Sequence, residues 1–199
     1  FSNIDIANIS SANSTRIDNL KLEVFSLPGE KPNQSNVSTV KLDLKEFSPP
    51  GDFAYEMGGL IESISFNIDV YRFSVFANQK ISIAEWRDDG GIAEIKAFEM
   101  RWGPLGLKTI GTVSLDQEMR PIGALTADII GYGDVIDALI MSNMIPLGDA
   151  FIAKVAFNML AEKPVDGGPP VLRAIPVTIQ DGQLFIDTVS FAKVSPLQF

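Results

Sequence analysis

The stretch RWGPLGLKTIGTVSLDQEMRPIGALTADIIGYGDVIDAL, residues 101–139, decides the fold because its pattern changes partway along. Up to Ile130, apolar residues alternate with polar ones and glycines interrupt the runs, which is typical of short antiparallel strands. Gly131 and Gly133 then give the backbone the freedom to leave a strand and enter a helix. Beyond this point the apolar residues recur at helical spacing, at Val135, Ile136, Leu139 and Ile140. The stretch therefore predicts a meander of strands that continues directly into a helix.

The residues after the meander predict two helices. Asp134 is the expected N-cap of the first helix, because its carboxylate can accept a hydrogen bond from a free N–H of the first turn. Pro146 interrupts the pattern, Asp149 is the expected cap of the second helix, and that helix is expected to end near Lys163-Pro164. The second helix carries a broad apolar stripe of Phe151, Ile152, Val155, Ala156, Met159 and Leu160. The two helices either pack on the sheet as an ordinary core or form the floor of a groove with it.

Patterns with a period of two mark further strands before this stretch. In two N-terminal segments charged residues separate the apolar positions, which are Leu20, Leu22 and Val24, then Val40, Leu42 and Leu44. In a third segment Ile64, Phe66, Ile68 and Val70 share one face. We expect each segment to be a strand with one apolar face.

The C-terminal region predicts a β-hairpin. Asp181-Gly182 suits a two-residue type I′ turn. That turn would pair Ile179 with Leu184 and Val177 with Ile186, so that apolar residues oppose each other. Pro176 has no N–H to donate to a ladder, and its strand is therefore expected to lie at an edge or to be irregular there.

Together these elements predict an α+β fold, with a long, twisted, mainly antiparallel β-sheet packed against a helical pair near residues 133–163. The helices are needed because the meander leaves one apolar sheet face uncovered. At 199 residues the chain is long enough for one sizeable core. We expect a single domain over residues 1–199, with a polar, strand-rich N-terminal part at 1–57 and the sheet, helical pair and hairpin at 58–199.

Composition argues against several classes of function. The net charge is −9 and the 16 basic residues are scattered singly, whereas nucleic-acid binding needs clustered Lys and Arg. No apolar run approaches the roughly 18 residues of a membrane-spanning helix. The chain has no cysteine and no histidine, which removes thiolate nucleophiles, the Ser-His-Asp triad and nearly all transition-metal sites. An enzyme would need a carboxylate-only mechanism, and we expect no enzymatic activity, no catalytic residue, no cofactor and no metal.

Two local patterns invite a chemical interpretation. The carboxylates Glu85, Asp88, Asp89, Glu94 and Glu99 surround a Gly-Gly turn and could hold Ca²⁺ or act as an acid–base pair. Their spacing does not match an EF-hand loop, and Asp-Asp-Gly-Gly is also ordinary turn chemistry. Gly103, Gly106 and Gly111 do not match a phosphate-binding loop, and bends or bulges in a curved sheet account for them better.

Aromatic and large apolar residues are the remaining candidates for a binding site. Phe98, Met100 and Trp102 share one strand face, and Phe151 and Val155 lie on the second helix. These five residues are the predicted lining of a ligand groove. The alternative is that they belong to the core, where large side chains are most often buried.

Several short motifs resemble an uncharacterised envelope family of alphaproteobacteria, a domain of unknown function whose short repeated strands are similar to those of AsmA-like proteins. The matching residues, within about 80–199, are Trp86-Arg87, Trp102-Gly103-Pro104-Leu105, Gly111, Leu115-Asp116, Gly123, Asp181-Gly182-Gln183-Leu184 and Val194-Ser195-Pro196. The resemblance implies a periplasmic protein behind an N-terminal signal or inner-membrane anchor, and it supplies no catalytic residue. The first residue, Phe1, fits removal of such a segment, with simple trimming as the alternative.

Three functions follow from these observations. The leading expectation is a non-enzymatic periplasmic envelope protein that binds, or helps to move, a lipid or other apolar ligand on a concave sheet face. The second is an interaction module or accessory subunit of a larger envelope complex, which would use an exposed edge such as the terminal hairpin. An enzyme ranks third.

Overall fold

The computed structural model describes residues 2–10, 16–27, 36–49, 51–73, 82–165 and 167–197. Within these ranges the chain forms one antiparallel sheet of ten strands, whose order in space is their order along the chain. The strands are β1 (Ser2–Ser10), β2 (Arg16–Leu27), β3 (Val37–Ser48), β4 (Ile61–Tyr71), β5 (Ala93–Trp102), β6 (Leu105–Leu115), β7 (Pro121–Ile130), β8 (Val171–Gln180), β9 (Gln183–Ile186) and β10 (Val189–Lys193). Phe1, on which the predicted removal of an N-terminal segment rests, lies outside the described ranges.

In the described ranges four helices interrupt the meander at three places: α1 (Asp52–Glu56), α2 (Ile83–Asp88), and the consecutive pair α3 (Tyr132–Met141) and α4 (Leu147–Leu160). The pair α3 and α4 packs together and lies on the part of the sheet that runs from β6 to β10. The structure therefore confirms the predicted α+β fold, with a long antiparallel sheet and a helical pair on one face. The sequence pattern did not predict the short helices α1 and α2.

The strand register aligns apolar residues in continuous rows across the sheet. One row runs through Leu20, Leu44, Ile64, Met100, Leu107, Ile129 and Leu172, one residue from each strand from β2 to β8. Directly opposed residues of antiparallel strands point to the same face, so this face is apolar from β2 to β8. The other face carries charged side chains such as Lys41, Asp43 and Glu99.

One cluster of buried residues forms a hydrophobic core under the helix pair. Its members are Ala127, Ile129, Tyr132, Ile136, Ala150, Ala153, Phe157, Leu172, Ile175, Val177 and Ile186. All of them belong to β7–β9 or to the two helices. The core therefore forms where a second layer lies on the sheet.

Both predicted helix starts need correction. The N-cap of α3 is Gly131, in the left-handed region at φ +76°, and α4 follows Pro146; neither start has a side-chain cap. Asp134 and Asp149 instead lie in the first turns, where a carboxylate complements the positive end of the helix dipole. A Cβ at Gly131 would lie 2.1 Å from the carbonyl oxygen of Pro104, so the tight passage from strand to helix needs glycine there.

The C-terminal hairpin has the predicted register. Asp181 and Gly182 both have positive φ, and Ile179 pairs with Leu184 and Val177 with Ile186. Pro176 lies in an inner strand, between β7 and β9, rather than at an edge. The expected irregularity is present nearby, because the β7–β8 register shifts between Ala127 and Ile129.

Two of the three singled-out glycines serve the bending of the sheet. Gly103 lies in the β5–β6 turn with φ +52°, and Gly111 has φ +148°. Gly111 pairs with Ile95 beside a β5–β6 bulge. A Cβ there would lie 2.4 Å from the carbonyl oxygen of Ala124, which only glycine avoids.

Candidate functional site

An apolar cavity of about 260 Å³ lies between the sheet and the helix pair. Its floor is formed by strands β6–β10, and its roof by α3 and α4. The lining residues are Leu105, Leu107, Thr109, Leu125, Ala127, Ile129, Tyr132, Val135, Phe157, Leu172, Val177, Leu184, Ile186 and Phe191. Apolar cavities of about 150 Å³ in proteins stay dry and accept guests such as benzene. A cavity of this size and composition can therefore hold an apolar group.

Small residues on the inner face of α4 let this helix lie close to the sheet. Ala150 and Ala153 are buried on the inner face of α4, and Phe157 follows with only 1% of its surface exposed. The ring of Phe157 meets the ring of Tyr132 edge to face, with centroids 5.9 Å apart. These contacts join the two helices directly above the cavity.

Tyr132 is the main polar group at the roof, and its hydroxyl already has a partner. The hydroxyl donates to Oδ1 of Asn158 at 2.9 Å. Burial raises the pKa of Tyr132, so this phenol remains neutral at physiological pH. The site therefore presents no charge to a ligand in the cavity.

The floor of the cavity continues beyond the helices at β6. Leu107 and Thr109 line the cavity and are only half-buried. Their partners on β5 are Met100 and Phe98, on the same sheet face. An apolar surface therefore leads from the cavity directly onto the next strand.

This surface extends to β2, and we call it the open face. Its twelve side chains are Leu20, Leu22, Val24, Val40, Leu42, Leu44, Ile64, Phe66, Ile68, Ile95, Phe98 and Met100, and each of them is half-buried. The helix pair α3 and α4 contacts the sheet at β6 and β10, outside this face. The axes of four neighbouring strands span about 14 Å. The open face is therefore a broad apolar strip continuous with the cavity.

A buried hydroxyl marks one end of the open face. Ser38 is fully buried and lies two residues before Val40, on the same face of β3. Its hydroxyl lies within hydrogen-bond distance of the Ser26 hydroxyl and donates to the carbonyl oxygen of Phe73 at 2.8 Å. The apolar strip thus ends at a polar contact under the chain that leaves β4.

The structure places the five predicted ligand residues on two separate surfaces. Phe98 and Met100 lie on the open face beside the cavity, and Trp102 on the same strand pairs with the lining residue Leu105. Phe151 is 70% exposed and Val155 38% exposed, on the side of α4 that points away from the cavity. The reason is that α4 is apolar on both sides, and its small residues face inward.

Sequence reasoning missed the buried inner face of α4, from which Phe157 lines the cavity. Ala150, Ala153 and Phe157 recur at i, i+3 and i+7, which is itself a helical-face signal. The larger apolar residues on the other side of α4 form a second helical face, and the prediction took that face as the inner one. Tyr132 was missed because the N-cap of α3 was expected at Asp134, three residues after the observed N-cap Gly131.

The acidic residues near the Gly-Gly turn do not converge on one point. The Glu85 carboxylate accepts from the backbone N–H of Ser82 in a capping box, and these bonds lower the pKa of Glu85. Lys96 and Tyr71 hydrogen-bond to Glu94 and lower its pKa. Among the described residues no group of three or more such side chains could hold a metal ion.

Comparison with known proteins places the chain in a family. No curated protein matches it, and no solved structure matches it. A family model described as "Uncharacterized protein conserved in bacteria (DUF2125)" matches residues 3–195, which is nearly the whole chain. The protein therefore belongs to the DUF2125 family of uncharacterized bacterial proteins.

Proposed function

We propose that this protein is a non-enzymatic binding protein for a lipid, one acyl chain of which enters the cavity under the helix pair. The observation that carries the proposal is that a predominantly apolar, uncharged cavity opens onto an apolar sheet face. Ligand pockets are mostly apolar clefts with few polar groups. A hydrocarbon chain matches such a lining better than any polar metabolite does.

The size of the cavity specifies how a lipid would lie. A volume of about 260 Å³ is below the usual range of about 300–1,000 Å³ for small-molecule sites. It accommodates part of a chain rather than a whole lipid. The remainder then lies on the open face, first over Met100 and Phe98. Covering the open face in this way removes apolar surface from water, at about 25 cal/mol per Å².

The chemistry of the lining supports binding rather than catalysis. Among the lining residues only Tyr132 and Thr109 carry side-chain polar atoms. Neither a carboxylate nor an amine reaches the cavity in the part of the chain that the structure describes. A ligand would therefore be held without a group that could attack it or transfer a proton to it.

The proposal includes a place in the bacterial envelope, where lipids are handled between membranes. Two observations support it: the bacterial family, and the strand motifs that resemble those of AsmA-like proteins. The test is fractionation of a bacterium that carries the native gene. We expect the protein in the periplasmic or inner-membrane fraction, and recovery in the cytosol alone would contradict this placement.

The experiment for the binding proposal is titration of the purified protein with a fluorescent polyene fatty acid. The diagnostic variant is Ala127→Phe, because Ala127 lines the cavity and a phenyl ring there would fill it. The matched control is Ala124→Phe on the same strand, where Ala124 is exposed on the opposite face. We expect Ala127→Phe to weaken binding at least about tenfold and Ala124→Phe to leave it unchanged.

Two results would contradict the proposal. One is saturable binding that both variants retain, which would move the ligand out of the cavity. The other is absence of binding in the wild-type protein, with native mass spectrometry showing another protein chain in its place. That second result would favour the accessory subunit of an envelope complex.

A further inference from the structure

The outer side of α4 is the most exposed apolar surface of a helix in the described part of the chain. Leu147, Phe151, Ile152, Val155 and Met159 form it, and we call them the outer stripe. Their exposed fractions are 72%, 70%, 63%, 38% and 80%. Four of the five are spaced at i, i+4, i+8 and i+12, and therefore lie on one side of the helix. Large side chains with this exposure on a single helix indicate a surface that meets something apolar.

Charged residues border the outer stripe but do not interrupt it. At about 100° per residue, Asp149 and Lys154 fall on its two flanks. Lys154 is also drawn toward α3, where its Nζ contacts the carboxylate of Asp137. The exposed crest of α4 is thus uncharged over its whole length.

The size of the outer stripe argues against a second protein chain. A helix of 14 residues is about 21 Å long and about 10 Å wide, which gives a footprint of roughly 200 Å². A specific protein interface buries about 800 Å² on each partner. A lipid bilayer needs no complementary surface of that size, and interfacial helices bury their apolar side about 5–10 Å deep.

We propose that the outer stripe docks the protein on a lipid bilayer, with α4 lying along the membrane surface. None of the helices in the described ranges is long and apolar enough to cross a membrane. The docked orientation brings the roof of the cavity to the lipid surface. The proposal stands on α4 alone and does not require that the cavity bind a ligand.

The net charge specifies how docking depends on lipid composition. With a net charge of −9, the protein is repelled by anionic lipid headgroups. Insertion of apolar side chains then has to provide the attraction. We expect stronger binding to phosphatidylcholine vesicles than to vesicles that also contain phosphatidylglycerol. That difference should narrow as salt screens the repulsion.

The experiment is vesicle flotation of the full chain with three variants. Phe151→Glu places a charge on the outer stripe, and Ile110→Glu places one on the polar sheet face, where Ile110 is 56% exposed. We expect Phe151→Glu to reduce partitioning into phosphatidylcholine vesicles at least about tenfold and Ile110→Glu to leave it unchanged. The cavity variant Ala127→Phe should also bind vesicles normally, which separates this proposal from the binding proposal.

Four outcomes would overturn membrane docking. The first is that the wild-type protein does not float with vesicles. The second is that Phe151→Glu floats as well as the wild type does. The third is stronger binding to the phosphatidylglycerol vesicles at low salt, which would show an electrostatic contact elsewhere. If sedimentation instead shows a dimer that Phe151→Glu dissociates, a second copy covers the outer stripe. Thermal melting of each variant checks that the substitutions leave the fold intact.

Discussion

The two halves of the sheet share the same apolar rows but differ in burial. In the row from Leu20 to Leu172, Leu172 is fully buried and Ile129 is 8% exposed under the helix pair. Their row mates Leu44 and Ile64 on the open face are only half-buried. The side chains are similar, and the difference is the second layer. An apolar strand face thus becomes a core only where another element covers it.

Geometry explains why the helices cover only part of the sheet. Ten strands at about 4.8 Å spacing span roughly 43 Å. Helices of 10 and 14 residues are about 15 and 21 Å long. They also follow β7 directly, so they can only lie near the C-terminal strands. The open face is therefore a consequence of where the helices occur in the chain.

The largest expected contrast between the halves is in the cost of removing a phenylalanine. Phe157→Ala should lower the free energy of unfolding by about 3–5 kcal/mol, because Phe157 is buried in the covered core. Phe66→Ala on the open face should cost about 1 kcal/mol, since the phenyl ring is already half in water. Urea denaturation of both variants measures the two values. Equal costs would mean that something covers the open face in solution.

The passage from sheet to helix should be the next most sensitive point. Gly131→Ala combines a left-handed φ with a Cβ 2.1 Å from the carbonyl oxygen of Pro104. We expect a loss of about 2–3 kcal/mol. The control is Gly106→Ala, where the new Cβ would meet Ile130 at an ordinary 3.7 Å. Thermal melting should separate the two variants, and similar melting temperatures would show that the passage from β7 to α3 tolerates a side chain.

The covered half of the sheet, which is the part from β6 to β10 under the helix pair, was also predicted best from the sequence. Gly131 marked the change of period, and Asp181-Gly182 set the hairpin register correctly. Both signals are local, because a single residue type determines the backbone conformation there. The open face was predicted only strand by strand. Whether any element covers a strand depends on tertiary packing, which alternation alone does not encode.

The candidate site was less predictable than the fold. Met100 and Phe98 were singled out on their strand and lie at the cavity's edge. Phe151 was singled out for the same reason, its size, and lies outside. On a helix that is apolar on both sides, composition cannot choose the inner face. The choice follows from how closely Ala150 and Ala153 let α4 approach the sheet.

The turn between β6 and β7, at the edge of the covered half, should stabilise the fold by electrostatics rather than by packing. Burial alone would raise the pKa of Asp116, but hydrogen bonds from the backbone N–H and guanidinium of Arg120, at 2.8 and 2.7 Å, bring it below its ordinary value of 3.8. The folded state therefore favours the ionised carboxylate. Its stabilisation is complete above pH 3.8 and is lost as the pH falls through the lower, folded-state pKa.

Asp116→Asn should accordingly cost about 1–2 kcal/mol at neutral pH. The difference from the wild type should shrink in acid, where the native carboxyl is protonated as well. Urea denaturation at neutral and at acidic pH measures both values. A difference that is constant with pH would assign the loss to the shape of the turn instead of its charge.

The smallest effect on stability is expected on the open face, and it should come with a change in binding. Leu42→Thr replaces a half-buried leucine in the middle of β3 with a residue that strands favour, so we expect a loss below about 1 kcal/mol. If a lipid chain extends from the cavity across the open face, the variant should bind long-chain fatty acids more weakly. It should still bind short chains normally, since these fit within the cavity. Competition against the fluorescent probe with a series of chain lengths measures this. An effect that does not depend on chain length would confine the ligand to the covered half, and the open face would then need another partner.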